Sequence, residues 1–197
     1  MKTLKHKRFG LLNVLEVVLV LLAQGHTLVH SQTRLAKPLY IQAQAMGTST
    51  QMGRTFSVNI IINEFSPPSD QAILLEAFQQ KGNEGLVNTL SKMPSKGRVA
   101  ITGTLGGDIA YARRFSMPDG STRIRVVTNR LLRFGEVWAD TRSSDYDLSA
   151  LEIVLSPSKG KSTGTLLPAS KLKLNKENQL ELELFQNPWN LVNVQVR

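Results

Sequence analysis

Residues 108–128 read DIAYARRFSMPDGSTRIRVVT, and the fold turns on how this stretch pairs with itself. Apolar and polar residues alternate on both sides of Pro118-Asp119-Gly120-Ser121, a period of two that belongs to strands. The central residues carry turn chemistry, so two antiparallel strands joined by a tight hairpin are expected. A one-residue slip would send every side chain to the opposite face, so the apolar pattern should set the register. Ile109, Tyr111 and Phe115 share one parity, Ile124 and Val126 another, and both sets are expected on the core side. This selects an even-length loop that opposes Phe115 to Ile124, Arg113 to Val126 and Arg114 to Arg125, and rejects the odd-length loop that opposes Phe115 to Arg123.

The same alternation continues on both sides of this hairpin. From Gly97 to the C-terminus, candidate strands fall at 98–105, 108–117, 122–128, 149–155, 164–174, 179–185 and 191–196, separated by Gly-, Pro-, Asn- and Ser-rich turns. Connections this short make neighbours antiparallel, because parallel pairs need long crossovers. Residues 129–147 fit neither period. Upstream, Phe56, Val58, Ile60 and Ile62 alternate with polar residues and give a half-buried first strand over 54–65. Ser66-Pro67-Pro68-Ser69-Asp70 then punctuates a helix start, and Ile73, Leu74, Ala77 and Phe78 follow at helical spacing. Gly82 can stop that helix, Asn83 can cap a second carrying Leu86, Val87 and Leu90, and Pro94 ends it. The fold class expected is α+β: an antiparallel sheet of about seven or eight strands, barrel-like or sandwich-like, with a helical pair inserted after the first strand.

The N-terminus reads as an export signal. Lys2, Lys5, Lys7 and Arg8 precede an apolar run from Phe9 to Ala23, and Ala23-Gln24-Gly25 or Val29-His30-Ser31 offers small residues for cleavage. The run is shorter than a bilayer span and is interrupted by Asn13 and Glu16, so no transmembrane span is expected after cleavage. The domain plan is a signal peptide over 1–31, a poorly ordered linker over 32–53 and a single α+β domain over 54–197. An exported domain with no cysteine fits a bacterial periplasmic or extracellular protein better than a disulfide-stapled eukaryotic one.

Of the formal charge of +9, part belongs to the leader, and the remainder is still moderately basic. That balance favours weak attraction to polyanions and gives no specific nucleic-acid signal. His6, His26 and His30 all lie in or beside the leader, so histidine bases, catalytic triads and histidine metal sites are excluded from the mature domain. The lack of cysteine removes thiol nucleophiles and typical zinc sites. No catalytic residue, metal or cofactor is expected. Gly160-Lys161-Ser162 lacks the earlier glycine of a phosphate loop and reads as a turn. Asp145 and Asp147 lack the further ligands of a calcium loop.

Two groups of side chains remain as candidates. On the polar face of the hairpin, Arg114, Arg123 and Arg125 form a candidate anion-binding surface, since like charges opposed across a sheet call for an anion between or beside them. Arg113 shares the parity of the apolar set and is expected to form a structural ion pair with Glu136 or Glu152. The leading functional expectation is a non-catalytic binding or interaction domain of the envelope or periplasm. Its partner would be an anionic envelope polymer, a lipid headgroup or an apolar small ligand held inside the curled sheet. The competing expectation is a carboxylate-based hydrolase acting on envelope saccharides, with Glu136 and Glu152 across a cleft.

Between Arg98 and Glu152 the chain also resembles a family of uncharacterised secreted bacterial proteins with no known activity. The residues that carry the resemblance are Arg98, Ile109-Ala110-Tyr111-Ala112-Arg113, Pro118-Asp119-Gly120, Arg123-Ile124-x-Val126, Thr128-Asn129-Arg130, Phe134-Gly135-Glu136 and Ser144-Asp145-Tyr146. The family pattern has Asp at position 129 and Trp at position 135, where this chain has Asn and Gly. The resemblance implies export and an α+β domain, and it implies no activity.

Overall fold

Alternating side chains with short connections build a wall that closes on itself. The computed structural model describes residues 34–132, 148–158, 160–174, 180–184 and 187–197. Its strands are β1 (Arg34–Met46), β2 (Thr55–Glu64), β3 (Gly97–Ile101), β4 (Gly107–Ser116), β5 (Thr122–Thr128), β6 (Leu148–Leu155), β7 (Thr163–Leu174), β8 (Leu180–Leu184) and β9 (Trp189–Val196). All pairings are antiparallel, in the order β6-β5-β4-β3-β2-β1-β9-β7-β8, and a further β6–β7 pairing closes the ring. The result is an eight-stranded barrel from which β8 prolongs the β7 hairpin, Ser170 opposite Leu184 and Leu174 opposite Leu180. Closure of the eight-stranded ring removes edges along the barrel that would otherwise template pairing with other chains, while β8 stays outside the ring at the end of the strand order.

The inner face of the wall is the core. Ile60, Val99, Ile124, Ile153, Leu166 and Trp189 come from six different strands and belong to one buried cluster. Each large apolar side chain taken from water contributes roughly 1.5–3 kcal/mol, and filling by side chains is what a barrel of this strand number permits. Trp189 is fully buried, and its ring centroid lies 5.4 Å from that of Phe56.

The stretch expected as a linker forms β1, so residues 34–46 belong to the barrel. Ile41, Ala43 and Ala45 point inward between Gln42 and Gln44. Two of these three inward residues are alanines, so the apolar contrast on which a strand is recognised is low. A small residue fits at position 45 because Phe56 and Leu191 stand opposite it on the two neighbouring strands.

Because β1 comes first, the helical insertion follows the second strand. It is one element, α1 (Pro68–Lys92), whose backbone leaves helical geometry at Lys81 and Gly82. Gly82 has φ 59, a left-handed value that glycine adopts without a Cβ penalty. Leu74, Phe78, Leu86 and Leu90 pack outside the barrel on Ala110, Tyr111, Val127 and Leu148. The wall is therefore covered on both sides here, with a packed interior beneath it and α1 above it.

The β4–β5 register differs from the one expected. Ser116 pairs with Thr122, so residues 117–121 make an odd-length turn, and Phe115 stands opposite Arg123 and Arg113 opposite Arg125. The cause is a bulge: Ile109 pairs with Thr128 and Tyr111 with Val127, leaving Ala110 as the extra residue. The bulge switches parity along β4. Ile109 and Ala112 face the interior, while Ala110 and Tyr111 lie under α1. Ile124 and Val126 do face the core, as the alternation implies.

Candidate anion-binding site

The bulge places Arg113 and Phe115 on the outer wall, beside Arg123 and Arg125 of β5 and Glu152 of β6. Arg125 stands opposite Arg113 on one side and opposite Glu152 on the other. Its Nε donates to Glu152 Oε2 at 2.7 Å, and Arg123 Nε lies 3.7 Å from Glu152 Oε1. Both carboxylate oxygens thus face a guanidinium. The Phe115 ring lies between the arginines, with Arg113 Cζ 5.3 Å and Arg125 Cζ 5.5 Å from its centroid. The negative face of an aromatic ring offsets part of the repulsion between these cations. Arg113 Nη1 also donates to Gln71 Oε1 on α1, which ties the cluster to the helix.

Burial sharpens the electrostatics. Arg125 is 2% exposed, Glu152 is mostly covered and Arg123 remains part-exposed. Guanidinium stays protonated in proteins, so among the described residues three positive groups meet one carboxylate on this wall. In the turn below, hydrogen bonds from Ser121 hold the Asp119 carboxyl below the ordinary range, and Arg123 adds to the effect. Nη1 of Arg125 is buried and has no hydrogen-bond partner among the described residues. Leaving a buried donor unmade costs about 1–3 kcal/mol, more for a charged group. Forked guanidinium donors match carboxylate and phosphate oxygens, so the chemistry suited to this patch is recognition of an anion.

The candidate residues separate on folding. Arg123 and Arg125 come together, but Arg114 does not join them: it stands opposite Ile124, with Cζ 5.3 Å over the Phe65 ring. The anion surface expected from Arg114, Arg123 and Arg125 is therefore rebuilt around Arg113, Arg123 and Arg125, because the bulge exchanged the parity of the two β4 arginines. Of the two partners expected for Arg113, Glu152 pairs with Arg125. Glu136, Asp145 and Asp147 lie outside the described residues. For a two-carboxylate hydrolase, Glu152 is poorly placed, since both its oxygens already face arginines.

Three contributors escape the pattern. Phe115 and Gln71 read as a core aromatic and a helix-surface amide, and their roles depend on the bulge and on where α1 lands. Lys96 is 7% exposed, with Nζ 2.8 Å from Glu64 Oε1 and 3.5 Å from Asp70 Oδ2. Burial pulls its pKa down, but the Glu64 hydrogen bond and the Asp70 and Glu64 charges outweigh this and leave it above the ordinary lysine value. No three His, Cys, Asp or Glu side chains converge as a metal site among the described residues. No protein-family model, curated protein or solved structure matches the chain.

Proposed function

We propose that this chain is a non-catalytic, exported binding domain of the bacterial envelope or periplasm that recognises an anionic group on its outer wall. The observation that carries this reading is the buried Arg125 Nη1, without a partner among the described residues, set beside Arg113, Arg123 and Phe115 with one described carboxylate among them. Arg123, the part-exposed member, is the point of entry, and Arg113 supplies the second arm of the clamp. Export is supported by the basic and apolar N-terminus, and the binding role by the absence of histidine and cysteine chemistry after residue 30.

The test is a thermal-shift titration with inorganic phosphate against chloride at matched ionic strength. Phosphate should raise the melting temperature of the wild type by more than chloride does, because a ligand that binds the folded state alone stabilises it. Arg123→Ala should remove the difference while leaving the phosphate-free melting temperature close to wild type. Equal shifts in phosphate and chloride, or an undiminished shift in the variant, would sink the reading.

A further inference from the structure

The wall on the far side of the barrel from the arginines has a different chemistry. β1 lies four strands from β5 in either direction round the ring. Residues 40–46 of β1 stand between 55–61 of β2 and 190–195 of β9, and these three ranges contain no Asp, Glu, Lys or Arg. The chain is 20% charged, and outward strand positions are where charged side chains ordinarily stand. Here amides and hydroxyls take those positions. Charge returns at the borders, with Arg98 of β3 opposite Ile61 and Glu152 of β6 opposite Thr165 of β7, which itself pairs with Asn190.

The amides are held in place by one another. Gln42 Nε2 donates to Asn59 Oδ1 at 3.0 Å, and Asn193 Nδ2 donates to Gln44 Oε1 at 2.7 Å. The second pair depends on a bulge: Gln42 pairs with Gln195 and Gln44 with Val192, so β9 has one residue more than β1 over this step. Asn193 is thereby exposed while Val194, the next residue, belongs to the core. Its φ of 52 is a left-handed value, which costs conformational energy in any residue but glycine and persists where the aim of a side chain matters. An amide donates and accepts, so two amides joined by a single hydrogen bond keep donors and acceptors for a further partner. Tyr40, 45% exposed, adds a ring face at one end of the row.

Size and chemistry together choose the occupant. Seven residues of β1 and the width of three strands give a strip of roughly 300 Å², whereas a second copy of the chain would need about 800 Å² on each side. A slender chain fits where a folded partner does not. Paired amides that donate and accept match the hydroxyls of a sugar, and an exposed aromatic ring matches the C–H face of a pyranose. The lack of charge matches a ligand that has none. We propose that a neutral polysaccharide strand binds along β1, with hydroxyls on the Gln42–Asn59 and Gln44–Asn193 pairs and one sugar ring on Tyr40. This strip lies apart from the Arg113–Arg123–Arg125 wall, and either can fail without the other.

The test is affinity electrophoresis of the full chain in native gels that contain mixed-linkage β-glucan, pullulan or galactomannan, with polyvinylpyrrolidone as the sugar-free polymer. The expected result is retardation in at least one polysaccharide gel and none in polyvinylpyrrolidone, unchanged by added sodium chloride because no ion pair is made. Tyr40→Ala should raise the polysaccharide concentration for half retardation by about threefold or more, and Tyr40→Phe, which keeps the ring, should not. Asn193→Gly should do the same as Tyr40→Ala; glycine adopts the left-handed backbone freely, so this variant loses the amide and keeps the fold. Arg123→Ala should bind like the wild type. Retardation in none of the three gels, equal retardation in polyvinylpyrrolidone, or undiminished binding by Tyr40→Ala and Asn193→Gly overturns the proposal. So does binding that salt and Arg123→Ala both abolish, which would move the ligand to the arginine wall. A mobility that falls with protein concentration in a polymer-free gel, and recovers in Asn193→Gly, would assign the strip to a second copy and overturn it too.

Discussion

Arg125 and Glu152 stand opposite one another on β5 and β6 with Nε and Oε2 2.7 Å apart, and the arginine is 2% exposed. A buried pair of this kind contributes little over a well-packed apolar pair, yet breaking it by removing one partner is costly. Glu152→Ala should therefore destabilise the fold by about 3–5 kcal/mol in urea titration, because Arg125 is left as an uncompensated buried charge. The double replacement Arg125→Met with Glu152→Leu should come within about 1 kcal/mol of the wild type. A double variant as unstable as the single would show that Arg125 is held by something other than Glu152.

Alkaline pH should weaken the fold through two groups that titrate in the same direction. Tyr111 has its phenol raised by burial, against the opposing influence of Arg113, and Lys96 is raised by Glu64 and Asp70 despite its own burial. Both hold a proton in the folded state to a higher pH than in the unfolded chain, where their ordinary values are 10.0 and 10.5. Their contribution is complete below those values and is lost as pH rises through the folded ones. Melting temperatures followed from about pH 8 to pH 12 should fall steeply at the upper end, and Lys96→Met with Tyr111→Phe should flatten the fall. An unchanged slope in the double variant would refute this origin.

The two faces of α1 should respond unequally to truncation. Leu90 is 2% exposed and packs on the barrel wall, whereas Ile73 is 49% exposed on the same helix. Leu90→Ala should cost about 2–5 kcal/mol, and Ile73→Ala should stay within about 0.5 kcal/mol of the wild type. Comparable losses at the two sites would mean that α1 presents a different face to the barrel.

Gly97 marks the closest approach of two strands. A Cβ placed there would lie 2.0 Å from the carbonyl oxygen of Ile61 on β2, a backbone atom that cannot swing aside. Gly97→Ala should force β2 and β3 apart and lower stability by about 1–3 kcal/mol by denaturant unfolding. A neutral substitution would place β3 farther from β2 than the ladder has it.

Most of the wall was legible because alternation is a local property. The strands from β3 to β9 lie within a few residues of where period-two patterning put them, since each repeats an apolar residue at every second position and ends in Gly, Pro, Asn or Ser chemistry. β1 was not legible, because Ala43 and Ala45 carry little apolar contrast against Gln42 and Gln44. The register of the β4–β5 hairpin was misread at Ala110. A bulge leaves the residue types unchanged and alters only which of them point inward, so Tyr111 and Phe115 looked like core residues of the barrel and are in fact on its outer wall. Arg113 and Arg114 exchanged roles for the same reason.

By itself, the sequence determined that residues downstream of Gly97 form short antiparallel strands, because hydrogen-bonded ladders with one buried face impose a period of two on neighbouring side chains. Tertiary structure alone decided that β6 meets β7 to close a ring and that α1 lies across the outside of the wall against β4 and β7. It also decided that an arginine in an apparently solvated position is among the most buried residues of the chain. Those outcomes depend on contacts between segments far apart in the sequence, where a single bulged residue or the landing point of one helix redirects side chains that no local pattern distinguishes.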